Sequence, residues 1–214
     1  MKNSIFPKVF MWMFIGLLVS FGTGYYVYTN PNMLYNIFST NFYYVIIILE
    51  LAIVIFLGVR IQKMNPLTAK LSFILYSIVT GLTLSIIFVA FEITSIIFVF
   101  IITAIIFLIF ALLGYFTKID LSKYSTIFMM GLLGIIIATI VNIFLNNAFF
   151  DIILSWIGII IFVGLVAYDI QKIKRYEIII EDQDKAAIIS ALDLYLDFIN
   201  IFLRLLKLFG KSRD

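Results

Sequence analysis

The residues of this chain best suited to chemistry lie near its end. In "SALDLYLDFINIFLRLLKLF" (190–209), Asp193, Asp197, Asn200, Arg204 and Lys207 interrupt an otherwise apolar run. At about 100° per residue on an α-helix, all five fall within a wedge of roughly 80°. Acids stand at the N-terminal end of this stripe and bases at the C-terminal end, over about 21 Å. A polar stripe on an apolar helix cannot face hydrocarbon, because each charge there costs several kcal/mol. It must face a protein interior or a water-filled path. The bases have a bland reading as well: they match the helix macrodipole, or they snorkel toward headgroups. For Asp197, near mid-helix, the expense of a carboxylate in a membrane points to function.

Few other ionisable residues lie in or beside apolar runs. Asp169 follows Tyr168, Glu50 lies within "LELAIVIFLGVR" (49–60), Arg60 ends that stretch, and Asp151 opens another. Asp169 can be read as a solvated helix-end charge or as a partner of Asp197. Two carboxylates that meet in a low-dielectric site cannot both ionise readily, so they share a proton and form a pH sensor. The same oxygens suit a hard cation such as Ca²⁺, for which Asp169 and Asp197 are the expected ligands. A neighbouring arginine competes with the cation for the same acid.

These residues need elements to position them, and composition says which. The chain has 214 residues, 64% hydrophobic and 13% charged, with a net charge of +3. Soluble domains average about 25% charged residues, so the bilayer is the natural solvent. With no cysteine and no histidine, disulfides, thiolate chemistry, serine–histidine proteolysis and the HExxH zinc site are excluded. The bases sit in short clusters, which suggests topology control rather than nucleic-acid binding. A spanning helix needs about 20 mostly apolar residues. Seven such runs are present, at 9–28, 42–59, 71–91, 95–116, 126–147, 149–170 and 187–209. The expected architecture is all-α and polytopic, one seven-helix transmembrane domain over 1–214. The first run lacks a small-residue cleavage site and reads as a retained helix. Gly16, Gly22, Gly81, Gly131, Gly134 and Gly158 read as helix-packing positions.

Basic residues alternate between the predicted loops. Lys2 and Lys8 precede the first run; Arg60, Lys63 and Lys70 occupy the second loop; Lys118 and Lys123 the fourth; Lys172, Lys174, Arg175 and Lys185 the sixth. The first, third and fifth loops have none. The positive-inside rule therefore places the N-terminus in the cytoplasm, and puts Asp169, Arg60 and the start of the last helix on that side. Seven spans would leave Lys211 and Arg213 outside, so the last helix either crosses fully, the favoured reading, or is re-entrant.

Two segments carry a family resemblance. "VAYDIQKIKR" (166–175) followed by "ALDLYLDFINIFLRLLKLFG" (191–210) resembles the C-terminal signature of the Bax inhibitor family, the transmembrane Bax-inhibitor-motif proteins, and most closely its bacterial members. The likeness extends more weakly through 49–60 and 80–88. It implies six helices in two three-helix layers around a central C-terminal helix, and a pH-sensitive Ca²⁺ leak in the plasma membrane. It assigns the pH-sensing pair to Asp169 and Asp197 and the ion-pair partner in the closed state to Arg60, and it matches Glu50 to an acidic position of the second helix. Asp193 departs from the pattern, where a small polar residue is more usual, and with Glu50 and Asn200 extends the expected cation path. Ca²⁺ and protons are the expected partners beside the lipid bilayer, with no cofactor. Two other functions compete. One is a non-transporting membrane regulator that binds other membrane proteins. The other is an intramembrane aspartyl protease, disfavoured because "LYLD" lacks the GxGD glycines, so an enzyme is not expected.

Overall fold

A computed structural model describes residues 4–39 and 42–213. Lys2, one of the N-terminal charges used for topology, lies outside them. The described residues form eight α-helices: α1 Phe6–Thr29, α2 Pro31–Phe38, α3 Phe42–Arg60, α4 Pro66–Ala90, α5 Ile93–Phe116, α6 Ser125–Leu145, α7 Ala148–Ile179 and α8 Gln183–Phe209. Single 3₁₀ turns follow α3 (Ile61–Lys63) and precede α6 (Leu121–Tyr124). All but α2 are long and apolar enough to cross a membrane, alone or with the adjoining turn, and each covers one of the seven predicted runs.

Local chemistry explains the boundaries. Pro7 sits in the first turn of α1, Pro31 opens α2 and Pro66 opens α4, where a missing N–H is harmless. Asn65 caps α4 by accepting the Thr68 N–H at 2.8 Å. The α6–α7 turn is two asparagines: Asn146 is left-handed (φ 47°) at the end of α6, and the Asn147 side chain accepts the Phe150 N–H at 3.0 Å. Asp120, in the α5–α6 loop, accepts the hydroxyl and backbone N–H of Ser122, which hold its carboxyl below the usual carboxylate range.

Two expectations need correction. The segment after the first predicted run, 9–28, is not simply a loop; Pro31 starts α2, whose Ile37 is buried with Val27, Ile46 and Val79. The basic segment 172–185 was expected to be a loop, yet α7 runs to Ile179 and α8 begins at Gln183. That segment holds no glycine or proline to stop a helix. The break is confined to 180–182: Gln183 donates to the Ile180 carbonyl at 2.9 Å, and Asp182 accepts the Lys185 N–H at 3.0 Å. Lys172, Lys174 and Arg175 are therefore helical.

The chain divides into two compact units. One contains the described residues of Met1–Ile93 with Tyr176–Tyr195 and Ser212–Asp214; the other contains Thr94–Arg175 and Leu196–Lys211. In the first, α1 and α4 run parallel at close range. Gly16 faces Phe73 and Ser77, and Gly24 faces Gly81 and Ser85. The start of α8 meets the N-terminal ends of both helices, where Asp184 binds Lys8 and Lys70. The tail meets their C-terminal ends: the Arg213 N–H donates to the Ala90 carbonyl at 2.9 Å, and its guanidinium bonds the Tyr28 hydroxyl. Asp184 and the Arg213 tail thus meet opposite ends of α1 and α4. Helix α8 is one unbroken helix of 27 residues, the form expected of a full crossing.

In the second unit, α5 and α7 touch backbone to backbone, because a Cβ on Gly114 would lie 2.4 Å from the Ala167 carbonyl oxygen. Phe198 and Phe202 of α8 pack against Phe100 of α5 at 5.2 and 6.1 Å between ring centres. Across the chain, α3 and α6 expose most of their apolar side chains, as lipid-facing helices do, whereas α8 is buried over most of its circumference. Four of the six glycines read as packing positions do meet a neighbouring helix; Gly22 and Gly134 face open space.

Candidate functional site

The stripe on α8 behaves as its angular spacing requires along most of its length. Asp197 is buried, Asp193, Asn200 and Arg204 are half-buried, and Lys207 is exposed. Ala191, Leu194, Tyr195, Phe198 and Ile201, on the remaining circumference, are all buried. The wedge is therefore enclosed from Asp193 to Arg204 and emerges at Lys207.

The basic half of the stripe is explained by its contacts with α7. Arg204 donates to the Leu154 carbonyl at 3.0 Å, and its guanidinium lies 5.6 Å over the Phe162 ring. Gly158 makes this possible, since a Cβ there would sit 2.2 Å from the Arg204 Nε. Lys207 pairs with Asp151, at the start of α7. Both bases are tied to the neighbouring helix, and neither simply extends toward headgroups.

The acids divide by depth. Among the described residues only two acidic side chains are buried, Asp169 at 8% and Asp197 at 4% exposure. Both belong to the second unit, Asp169 on α7 and Asp197 on α8, with Asn200 one turn beyond Asp197. Asn200 donates to the Leu196 carbonyl at 2.8 Å, which leaves its own side-chain oxygen as an acceptor. Asp169 is anchored by its surroundings. Two residues before it, Ala167 lies against Gly114. Two residues after it, Gln171 accepts the Leu121 N–H at 2.9 Å and donates to the Ile119 carbonyl at 2.8 Å. Lys172, one turn along α7, places its ammonium 3.6 Å from Asp169 Oδ1. Sequence reading missed Lys172 as a partner because it assigned residue 172 to a loop; the i,i+3 spacing was the available signal.

The remaining expected residues belong to the first unit. Glu50 is half-buried on α3. Arg60 is exposed at the end of α3, and Asp193 is half-buried on the first half of α8. No three acidic side chains among the described residues are gathered closely enough to form a metal cage. A hard cation held at Asp169 or Asp197 would need water, carbonyls or amides for its other ligands.

Known proteins similar to this chain match it over nearly its whole length. A family model described as "Inhibitor of apoptosis-promoting Bax1" matches residues 2–214. The inner membrane protein YbhL of Escherichia coli is 40% identical over 212 residues, covering 96% of this chain and 91% of the relative. An uncharacterized protein of Borreliella burgdorferi is 39% identical over 218 residues, covering 100% of this chain and 94% of its own. An uncharacterized membrane protein of Streptococcus pyogenes is 34% identical over 221 residues, covering 98% and 93%.

Proposed function

The chain belongs to the Bax inhibitor family, and from that premise we propose that it is a pH-sensitive Ca²⁺ leak channel of the bacterial plasma membrane, gated by Asp169 and Asp197. One observation carries the reading: of the acidic side chains described, these two alone are buried. A buried carboxylate in a membrane helix is expensive and is kept where it binds or senses a charge. The arrangement of the helices in two layers around α8 and a cytoplasmic N-terminus are part of the same proposal. With no resident cofactor and no proteolytic step invoked, Ca²⁺ is cargo and the proton is the signal.

In this mechanism an ionised Asp169 is held by cations and keeps the path closed. Arg60 is the proposed partner from α3, and Lys172 supplies a second cation from α7 itself, 3.6 Å away. Protonation of Asp169 removes its charge, releases both cations and lets the helices part. The same protonation weakens the hold on Ca²⁺, so gating and affinity oppose each other as pH falls. Glu50, Asp193 and Asn200 are proposed to line the cation's route.

The test is Ca²⁺ flux into proteoliposomes across pH. Wild-type protein is expected to show a pH-dependent leak, and Asp169→Asn and Asp197→Asn to flatten that dependence. Unchanged pH profiles in both variants would remove the pair from the mechanism. A second reading, a non-transporting regulator of other membrane proteins, draws on the exposed apolar faces of α3 and α6. Reconstituted protein that passes no Ca²⁺ at any pH would favour it.

A further inference from the structure

The reverse face of α8 carries a set of contacts that the proposed gate does not use. Tyr195, fully buried, places its hydroxyl 2.7 Å from Ser20 Oγ of α1. Ser20 Oγ also lies 3.0 Å from the Gly16 carbonyl oxygen and 2.8 Å from the Ser77 carbonyl oxygen of α4. The rings of Phe73 and Tyr76 stand edge-on to Tyr195, at 5.6 and 6.0 Å. Asp184 lies eleven residues earlier on α8. That separation is three turns with an offset of only about 20°, so both residues project from one side of the helix. Asp184 binds the same two helices, through Lys8 at 2.6 Å and Lys70 at 2.7 Å. Between them Ala187 and Ala191 are completely buried, small enough to let backbones approach.

We propose that Tyr195 and Asp184 are positioning residues: a two-point seat on α1 and α4 that sets the rotation of α8 about its axis and so turns its acids to the opposite side. The angles require this consequence. Asp193 and Asp197 each lie about 160° around the helix from Tyr195. A smooth apolar seat would let α8 rotate at little cost, because hydrocarbon contacts are not directional. Two polar contacts on one face remove that freedom. The hydroxyl knot locks rotation at mid-membrane and the ion pairs lock it at the N-terminal end. Tyr195 stands between the two acids in sequence, so its azimuth is transmitted to them through about half a turn of helix on either side.

Because the chain has no cysteine, single cysteines can report the orientation of α8 directly. The experiment places Leu192→Cys, Asp193→Cys, Leu196→Cys, Asp197→Cys or Asn200→Cys in full-length protein in liposomes. Labelling by a membrane-impermeant thiol reagent is then timed in the wild-type background, in Tyr195→Phe and in Tyr195→Phe with Asp184→Asn. The expected result in the wild-type background is slow labelling at the buried positions 192 and 197 and faster labelling at the half-buried positions 193, 196 and 200. In the variants that contrast should change, the rate at 193 falling and the rate at a buried position, 192 or 197, rising. The single hydroxyl should change them about threefold, the population shift carried by a typical intramembrane hydrogen bond. A pattern unchanged in both variants overturns the proposal. If the double variant does not fold, Tyr195→Phe and Ser20→Ala decide. A second readout, the pH midpoint of Ca²⁺ flux in Tyr195→Phe, rests on the channel reading and is expected to shift while the melting temperature stays near wild type. Wild-type protein that passes no Ca²⁺ sinks the channel reading and leaves the labelling result to decide this one.

Discussion

Asp184 and Asp197 are carried by one helix, yet Asp184 keeps 41% of its side chain exposed and binds two lysines, whereas Asp197 is 4% exposed. Asp184 sits in the first turn of α8, where the helix dipole favours an anion. Its partners Lys8 and Lys70 stabilise the charged form, so this acid serves as a fixed tie between helices. Asp197 lies well inside the helix and is buried. The difference teaches that position along one helix is enough to separate an exposed acid tied by ion pairs from a buried one. The two bases at the C-terminal end of α8 are likewise tied by contacts, Arg204 to Leu154 and Phe162 and Lys207 to Asp151.

The largest effect is expected at the packing that steadies the buried acids. Gly114→Ala drives a Cβ into the Ala167 backbone, which cannot yield as a flexible side chain could. It should cost about 3 kcal/mol and lower the melting temperature sharply in detergent. Near-native stability would mean that the backbones beside Asp169 are not in contact as described. Next in size is a contrast of sign. Asp197→Asn removes a buried charge and should raise unfolding stability at neutral pH by about 2 kcal/mol. Asp184→Asn removes two partly exposed ion pairs and should lower it by about 1 kcal/mol. Equal signs in a denaturation series would break the comparison between the two acids. The smallest effect is that of salt. Raising ionic strength to about 1 M should erase most of the difference between wild type and Asp184→Asn and leave the Asp197→Asn difference in place, because exposed pairs are screened and buried charges are not. A salt-independent Asp184→Asn difference would place Asp184 among the buried acids.

Much of the architecture was legible because membrane helices announce themselves by length and apolarity. All seven predicted runs are helices, and the wedge on α8 follows from residue spacing alone. The elements that were missed are those for which apolarity is a poor guide. Helix α2 is short and begins at a proline that also reads as a turn. The ends of α7 and α8 are charged, and charge suggested a loop where an unbroken backbone continued the helix. Asp169 and Asp197, singled out in the sequence, are the two acids buried among the described residues. Lys172, the fit of Gly158 to Arg204 and the seat formed by Ser20, Tyr195 and Asp184 were not, since each joins residues through contacts that only folding creates.

Sequence alone determined the solvent, the number of long helices and the face of α8 that carries Asp193, Asp197, Asn200, Arg204 and Lys207. These follow from composition and from the fixed geometry of the helix, which need no knowledge of neighbours. Only the tertiary structure decided which acids are buried, which bases are anchored, and which residues tie α8 to α1 and α4. Those properties depend on distances between residues remote in the chain. Asp184 meets Lys8 and Tyr195 meets Ser20 across more than 170 residues, and no local spacing encodes such a contact.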